Sequence, residues 1–151
     1  MILDRVRFIN TGGISSRVFS FSGVFMFDHF LFVYGTLKRK QRANYLLQDQ
    51  QYVGTAVTKP YYLMYACFSH PALIKSITGT NIHGEIYGIN DDCKEKVDRY
   101  EGVDYGLYLP EPVELEIFNP EEKYKNLVLE KVVSYIYYGN ITSWRKVQQW
   151  P

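Results

Sequence analysis

The run Phe30-Leu31-Phe32-Val33-Tyr34 is apolar without alternation, the pattern of a strand covered on both faces. It stops at Gly35-Thr36, and Leu37 opens a stretch of good helix formers with a basic face that continues to Leu47. A strand, a glycine turn and a helix start in succession leave backbone N–H groups pointing one way, a ready anion site. Further strands are predicted at Tyr52 to Val57, Glu85 to Asn90, Pro112 to Phe118 and Glu130 to Tyr138. In the third of these, Val113, Leu115 and Ile117 alternate with Glu114, Glu116 and Phe118, as in a half-exposed strand. Pro60 to Leu73 is aromatic, holds two prolines and reads as a long loop over a pocket. Strands and one or two helices without strict alternation predict an α+β domain on a small curled sheet or barrel.

A short helix is predicted between two of the strands. Asp92 is a suitable N-cap, and Glu95 completes a capping box. Cys93, Val97 and Tyr100 fall at i, i+4 and i+7 and share an inward face. Glu101 is next on that line, and Gly102 follows as a natural helix stop. A carboxylate there is doubly disfavoured, by desolvation and by the partial negative charge of the helix C-terminus. Two readings remain open at this point. Either the apolar surroundings raise the carboxyl pKa and make Glu101 a proton acceptor near neutrality, or the helix ends one residue earlier and Glu101 turns to solvent.

With 151 residues, the chain has room for one domain, and 46% hydrophobic against 22% charged residues excludes a disordered chain. A formal charge of +1 supplies no net pull toward nucleic acid or an anionic membrane. The two cysteines, Cys67 and Cys93, are too few for a disulfide framework and suit a reducing compartment. No apolar run is long enough for a membrane-spanning helix. Residues 1–25 differ from the rest: Arg5, Arg7 and Arg17 face a single acid, Asp4, among several Ser and Gly. They are expected to be an N-terminal extension outside the core, with the domain over residues 26–151. Such an extension is either a transit peptide, implying organelle import, or the product of an upstream start ahead of a cytoplasmic protein.

Four ordered segments then combine. Val33-Tyr34-Gly35-Thr36-Leu37, followed by Asn44-Tyr45-Leu46-Leu47, resembles the opening strand and loop of the γ-glutamylcyclotransferase-like (AIG2-like) family. Gly84-Glu85-Ile86-Tyr87 is similar to a later strand of that family, and Val97-Asp98-Arg99-Tyr100-Glu101-Gly102 to its helix ending in Leu-Asp-x-x-Glu-Gly. Tyr135-Ile136-Tyr137 resembles its late Tyr-x-Tyr strand. The resemblance runs from about Phe30 to Gly139. It implies a small mixed β-barrel with flanking short helices, and an enzyme that uses neither cofactor nor metal. The implied reaction cyclises a small γ-glutamyl compound to 5-oxoproline and frees its amine or amino acid. Glu101 stands where the family has its catalytic glutamate, and Tyr34, Gly35, Thr36 and Leu37 stand in its substrate-binding loop. The sequence departs from the family at Lys40, where a glycine is usual, at Pro110, where an arginine is common, and at Lys38, where the glutathione-specific branch has tryptophan.

Other constellations carry less. Lys38-Arg39-Lys40-Gln41-Arg42 reads as a solvated helix face rather than a nucleic-acid patch. Cys67 and His70 supply two metal ligands where a structural site needs four. His29 and His83 read as strand-edge residues, and Trp144 and Trp150 as barrel caps. Tyr135 and Tyr137 share one face of their strand; Tyr135 either reaches the substrate or packs in the core. A non-catalytic ligand-binding or interaction module on the same barrel is the alternative function, and no nucleic-acid or membrane partner is expected. The oligomeric state is left open.

Overall fold

The computed structural model describes residues 27–151 in full, together with the strand backbone of β1 (Arg7–Asn10), β2 (Ser16–Ser20) and β3 (Gly23–Phe25). These three strands pair antiparallel with one another in chain order. The extension expected over residues 1–25 otherwise lies outside the described residues.

The main sheet has six strands in the order β10-β5-β8-β4-β11-β9. They are β4 (His29–Val33), β5 (Gln51–Thr58), β8 (His83–Ile89), β9 (Tyr108–Pro112), β10 (Leu115–Pro120) and β11 (Val132–Tyr137). Only β4 and β11 run parallel; the other neighbours in this sheet are antiparallel. A smaller sheet holds β6 (Tyr62–Cys67) between β7 (His70–Lys75) and β12 (Arg145–Val147). The helix α1 spans Asp91–Glu101. Among the described residues no helix is long and apolar enough to cross a membrane.

β4 explains the architecture. Its side chains alternate between two apolar clusters. Phe30 and Phe32 join Val53, Met64, Ile86 and Ile136 on one face. Leu31 and Val33 join Leu47, Cys93, Val97 and Tyr137 on the other. A strand covered on both faces needs an unbroken apolar run, which is what Phe30 to Tyr34 supplies.

The α+β class holds, and the sheet curls strongly, but it does not close into a barrel. Its two edge strands, β9 and β10, are joined through only Val113 and Glu114, so curling brings the ends close. Closure by a hydrogen-bond ladder is opposed by Pro110 and Pro112 in β9, which have no N–H to donate. The connecting residues stay with the ladders on either side: Val113 N–H donates to the Val132 carbonyl beside β11, and Lys59 N–H at the end of β5 donates to the Glu114 carbonyl.

Three sequence expectations are corrected. Leu37 to Leu47 is not a helix. It is a series of turns ending in a short 3-10 turn at Asn44–Leu47, with Lys40 in the left-handed region at φ +66°. Tertiary contacts override the local preference here: Lys38 Nζ and Gln41 Nε2 donate to the carbonyls of Trp150 and Pro151, and the Arg39 guanidinium lies 3.8 Å above the Tyr52 ring. Pro60 to Leu73 is not a loop but most of the β6–β7 hairpin. The N-cap of α1 is Asn90 rather than Asp92; the Asn90 side chain accepts from Cys93 N–H at 2.8 Å. Asp91 and Asp92 occupy the first turn, where their charge suits the helix dipole.

Candidate active site

The helix end behaves as its spacing predicts. Cys93 and Val97 are buried, α1 runs through Glu101, and Gly102 stops it in the left-handed conformation at φ +70°. Tyr100 is more exposed than its register suggests, because its hydroxyl reaches out to Thr36 Oγ1 at 2.9 Å. Glu101 keeps part of its surface open, yet its carboxyl lies desolvated in a cavity of about 290 Å³. The same cavity is lined by Tyr34, Gly35, Thr36, Leu37 and Tyr135. All six residues singled out in the sequence therefore meet at one opening.

The loop after β4 forms one wall. Lys38 N–H donates to the Gly35 carbonyl and Ala43 N–H to the Thr36 carbonyl, which closes Thr36 to Ala43 on itself. The N–H groups of Gly35, Thr36 and Leu37 donate to no backbone or side-chain acceptor among the described residues. Gly35 is required for packing: a Cβ there would stand 2.3 Å from Cγ of Pro71 in β7. The hairpin thus presses directly on the loop, and Pro71 and His70 complete that side of the cavity.

Three tyrosines, Tyr34, Tyr108 and Tyr135, surround Glu101, and each has its hydroxyl committed. Tyr34 donates to the Tyr135 carbonyl at 2.7 Å, Tyr108 donates to the Pro71 carbonyl at 2.8 Å, and Tyr135 donates to Asp98 Oδ1. Asp98 in turn is held by Lys94 Nζ at 2.8 Å, one helical turn back. Burial pushes Tyr34, Tyr108 and Tyr135 well above the usual phenol range, helped next by the Glu101 charge at Tyr34 and Tyr108 and by the Asp98 hydrogen bond and charge at Tyr135. They remain neutral and form an apolar wall with fixed dipoles.

Glu101 differs from them. Among the described residues its carboxyl has no hydrogen-bond or ion-pair partner, and burial pushes its pKa up to about 8. Within this cavity it is the carboxyl free to exchange a proton with a bound molecule. His70 lies below its usual range, through burial and then the nearby Arg42 charge, so it is neutral at pH 7.

Arg42, His70, Pro71, Tyr108 and Leu107 line the cavity without having been singled out as site residues. Reading Leu37 to Leu47 as a helix put Arg42 on a solvated face. The turn conformation sends it to the cavity instead. Reading the aromatic stretch Pro60 to Leu73 as a loop placed all of it over the pocket, whereas the hairpin brings only His70 and Pro71 of that stretch into the lining. Tyr137 is core: it packs on Tyr108 at 4.8 Å and on Trp144 at 4.9 Å between ring centroids.

A strand, an amide-bearing loop and a helix-end carboxyl around one small cavity define a small-ligand enzyme-like site. The family model described as "Gamma-glutamyl cyclotransferase, AIG2-like" matches residues 31–150, and the chain belongs to that family. Two curated relatives are both named "Putative gamma-glutamylcyclotransferase". The one from Vibrio cholerae is 33% identical over 50% of this chain and 64% of its own length. The one from Arabidopsis thaliana is 31% identical over 56% of this chain and 50% of its own length. The chain thus aligns with less than two thirds of either relative. In fold, it is similar to the crystal structure of an AIG2-like protein from Mus musculus, with a TM-score of 0.70, 19% identity, and coverage of 82% of this chain and 88% of that one.

Proposed function

We propose that the chain is a γ-glutamyl cyclotransferase that converts a small γ-glutamyl compound to 5-oxoproline and a free amine or amino acid, with Glu101 as general acid and base. The observation that carries this reading is one unpartnered carboxyl facing the same cavity as the undonated N–H groups of Gly35, Thr36 and Leu37. A γ-glutamyl compound offers a matching pair of charges on one carbon. Its α-carboxylate is bound by the amide nest of the loop, and its α-ammonium turns toward Glu101.

The chemistry follows from proton affinities. An α-ammonium cannot attack until it loses a proton, and an α-amino group titrates near 8. A carboxyl held near 8 accepts that proton at almost no thermodynamic cost, where an ordinary carboxylate near 4.5 would not. The freed amine attacks the side-chain amide carbon, and the new C–N bond closes the five-membered ring. Glu101 returns its proton to the departing nitrogen as the original C–N bond breaks, and then carries the second proton of the ring nitrogen to the freed amine, which leaves as an ammonium. Atoms and charge balance without water or redox change. Because the reaction is intramolecular, holding the chain folded in the cavity lowers the barrier further. The Tyr135–Asp98–Lys94 chain of contacts keeps the Tyr135 ring fixed against the ligand.

The direct test incubates the purified protein with γ-glutamyl amino acids and γ-glutamyl amines and measures 5-oxoproline. Release that drops on the order of a thousandfold in Glu101→Gln is expected. No release from any of them, or release undiminished in the variant, refutes the assignment. The non-catalytic alternative predicts binding of these compounds without turnover.

A further inference from the structure

The sequence motif Lys38-Arg39-Lys40-Gln41-Arg42 looks like one basic patch, and the structure divides it. Lys38 is spent on the Trp150 carbonyl, and Arg39 on Glu85 at 3.6 Å and on the Tyr52 ring. Lys40 sits at the turn. Arg42 alone of the five lines the cavity. Among the described residues it makes no ion pair or hydrogen bond. It is also the only Lys or Arg in the cavity lining, where His70 is neutral. The Ala43-to-Thr36 hydrogen bond at 3.0 Å ties the chain beside Arg42 to the amide nest. The neighbouring Ala43 is buried, so the backbone carrying Arg42 is fixed.

We propose that Arg42 reads an anionic group on the departing amine, so that the preferred substrates are γ-glutamyl compounds whose released nitrogen carries an adjacent carboxylate. The inference rests on the cyclotransferase reading of this cavity. The electrostatics assign the places. The glutamyl carboxylate and ammonium are matched by the nest and by Glu101, leaving one cation in the lining with nothing to pair. Arg42 is an exposed residue of the cavity lining, so it is placed to meet the part of a bound molecule that projects toward solvent, which is the leaving group. A guanidinium presents paired donors to a carboxylate, and a neutral amide cannot return that interaction. Because the arginine is solvent-exposed, the preference is modest, about fivefold to tenfold.

The test compares γ-glutamyl-alanine with γ-glutamyl-alaninamide, which differ only in the charge of the departing group. Two readouts are taken: kcat/KM in the wild type, Arg42→Met and Arg42→Lys, and Kd by calorimetry in Glu101→Gln with and without Arg42→Met. The expected result is a wild-type ratio of about fivefold to tenfold that falls to near one in Arg42→Met and is partly kept in Arg42→Lys. A ratio near one in the wild type, or one that Arg42→Met leaves intact, overturns the proposal. A uniform loss on both substrates also overturns it, because Arg42 would then hold the glutamyl part. If no turnover occurs but the binding ratio behaves as expected, the cyclotransferase reading falls while the role of Arg42 in recognition stands. If binding of either compound is absent as well, both fall.

Discussion

Glu101 closes α1, and Glu111 sits in β9 a short turn later; the two carboxyls meet opposite surroundings. Glu111 is held by Lys75 from β7 and by the hydroxyl of Tyr138. Burial pushes its pKa upward, but those two hydrogen bonds outweigh it and the carboxyl ends below its usual range. Glu101 has burial without partners and ends near 8. Both acids border the same curled sheet, yet one fastens strands together and the other is left unmatched. Only the unmatched acid is able to trade its proton with a ligand, because a carboxylate already paired with a lysine binds a proton weakly.

This contrast is open to attack at several levels. The largest effect belongs to the pH dependence of turnover. The rising limb of kcat/KM should lie near pH 8, with about a tenfold fall for each pH unit below it. A limb near the ordinary carboxylate range would mean that Glu101 is not desolvated in solution.

Stability comes next. Folded Glu101 holds its proton more tightly than the unfolded chain does, so its burial costs nothing below about pH 4.5 and costs more as pH rises to about 8. Glu101→Gln removes that cost. Denaturant titration should show the variant more stable than wild type by ~3 kcal/mol at pH 9, and equal to it near pH 4. The predicted variant is therefore less active and more stable.

Glu111→Gln should behave in the opposite sense and on a smaller scale. A lowered folded pKa contributes stability above the unfolded pKa, and that contribution disappears as pH falls through the folded value. Its side chain is 21% exposed, so the loss at pH 7 is ~1 kcal/mol, with no difference at pH 2 and turnover retained. Smallest of all is Lys40→Gly. Lys40 occupies φ +66°, where a side chain is strained, at the position where the family pattern has glycine. Relief of that strain, less the greater freedom of glycine in the unfolded chain, should raise stability by ~0.5 kcal/mol in thermal unfolding.

The two walls of the cavity were not equally legible. Glu101 stood out because helical spacing is local: Cys93, Val97 and Glu101 repeat at four residues, and Gly102 ends the turn. The loop from Tyr34 to Leu37 was readable as the interruption of an unbroken apolar strand. Arg42 was not, because the turn that sets it at the cavity rim depends on carbonyls of Trp150 and Pro151, more than a hundred residues away in the chain. His70 and Pro71 were lost for a similar reason. A hairpin whose face packs against a distant strand need not show strong alternation, and its two prolines suggested a loop.

What the chain specified by itself was which segments are covered on both faces, where α1 ends, and that an acid stands at that end. Those features follow from short-range geometry, from side-chain period and from backbone sterics at glycine and proline. The tertiary structure decided that the sheet curls without closing, that a hairpin presses on Gly35, and that one arginine of a basic run enters the cavity while its neighbours are taken up elsewhere. These outcomes depend on pairing residues far apart in sequence. Local preference is worth only a few tenths of a kcal/mol per residue, and long-range burial and hydrogen bonding outweigh it.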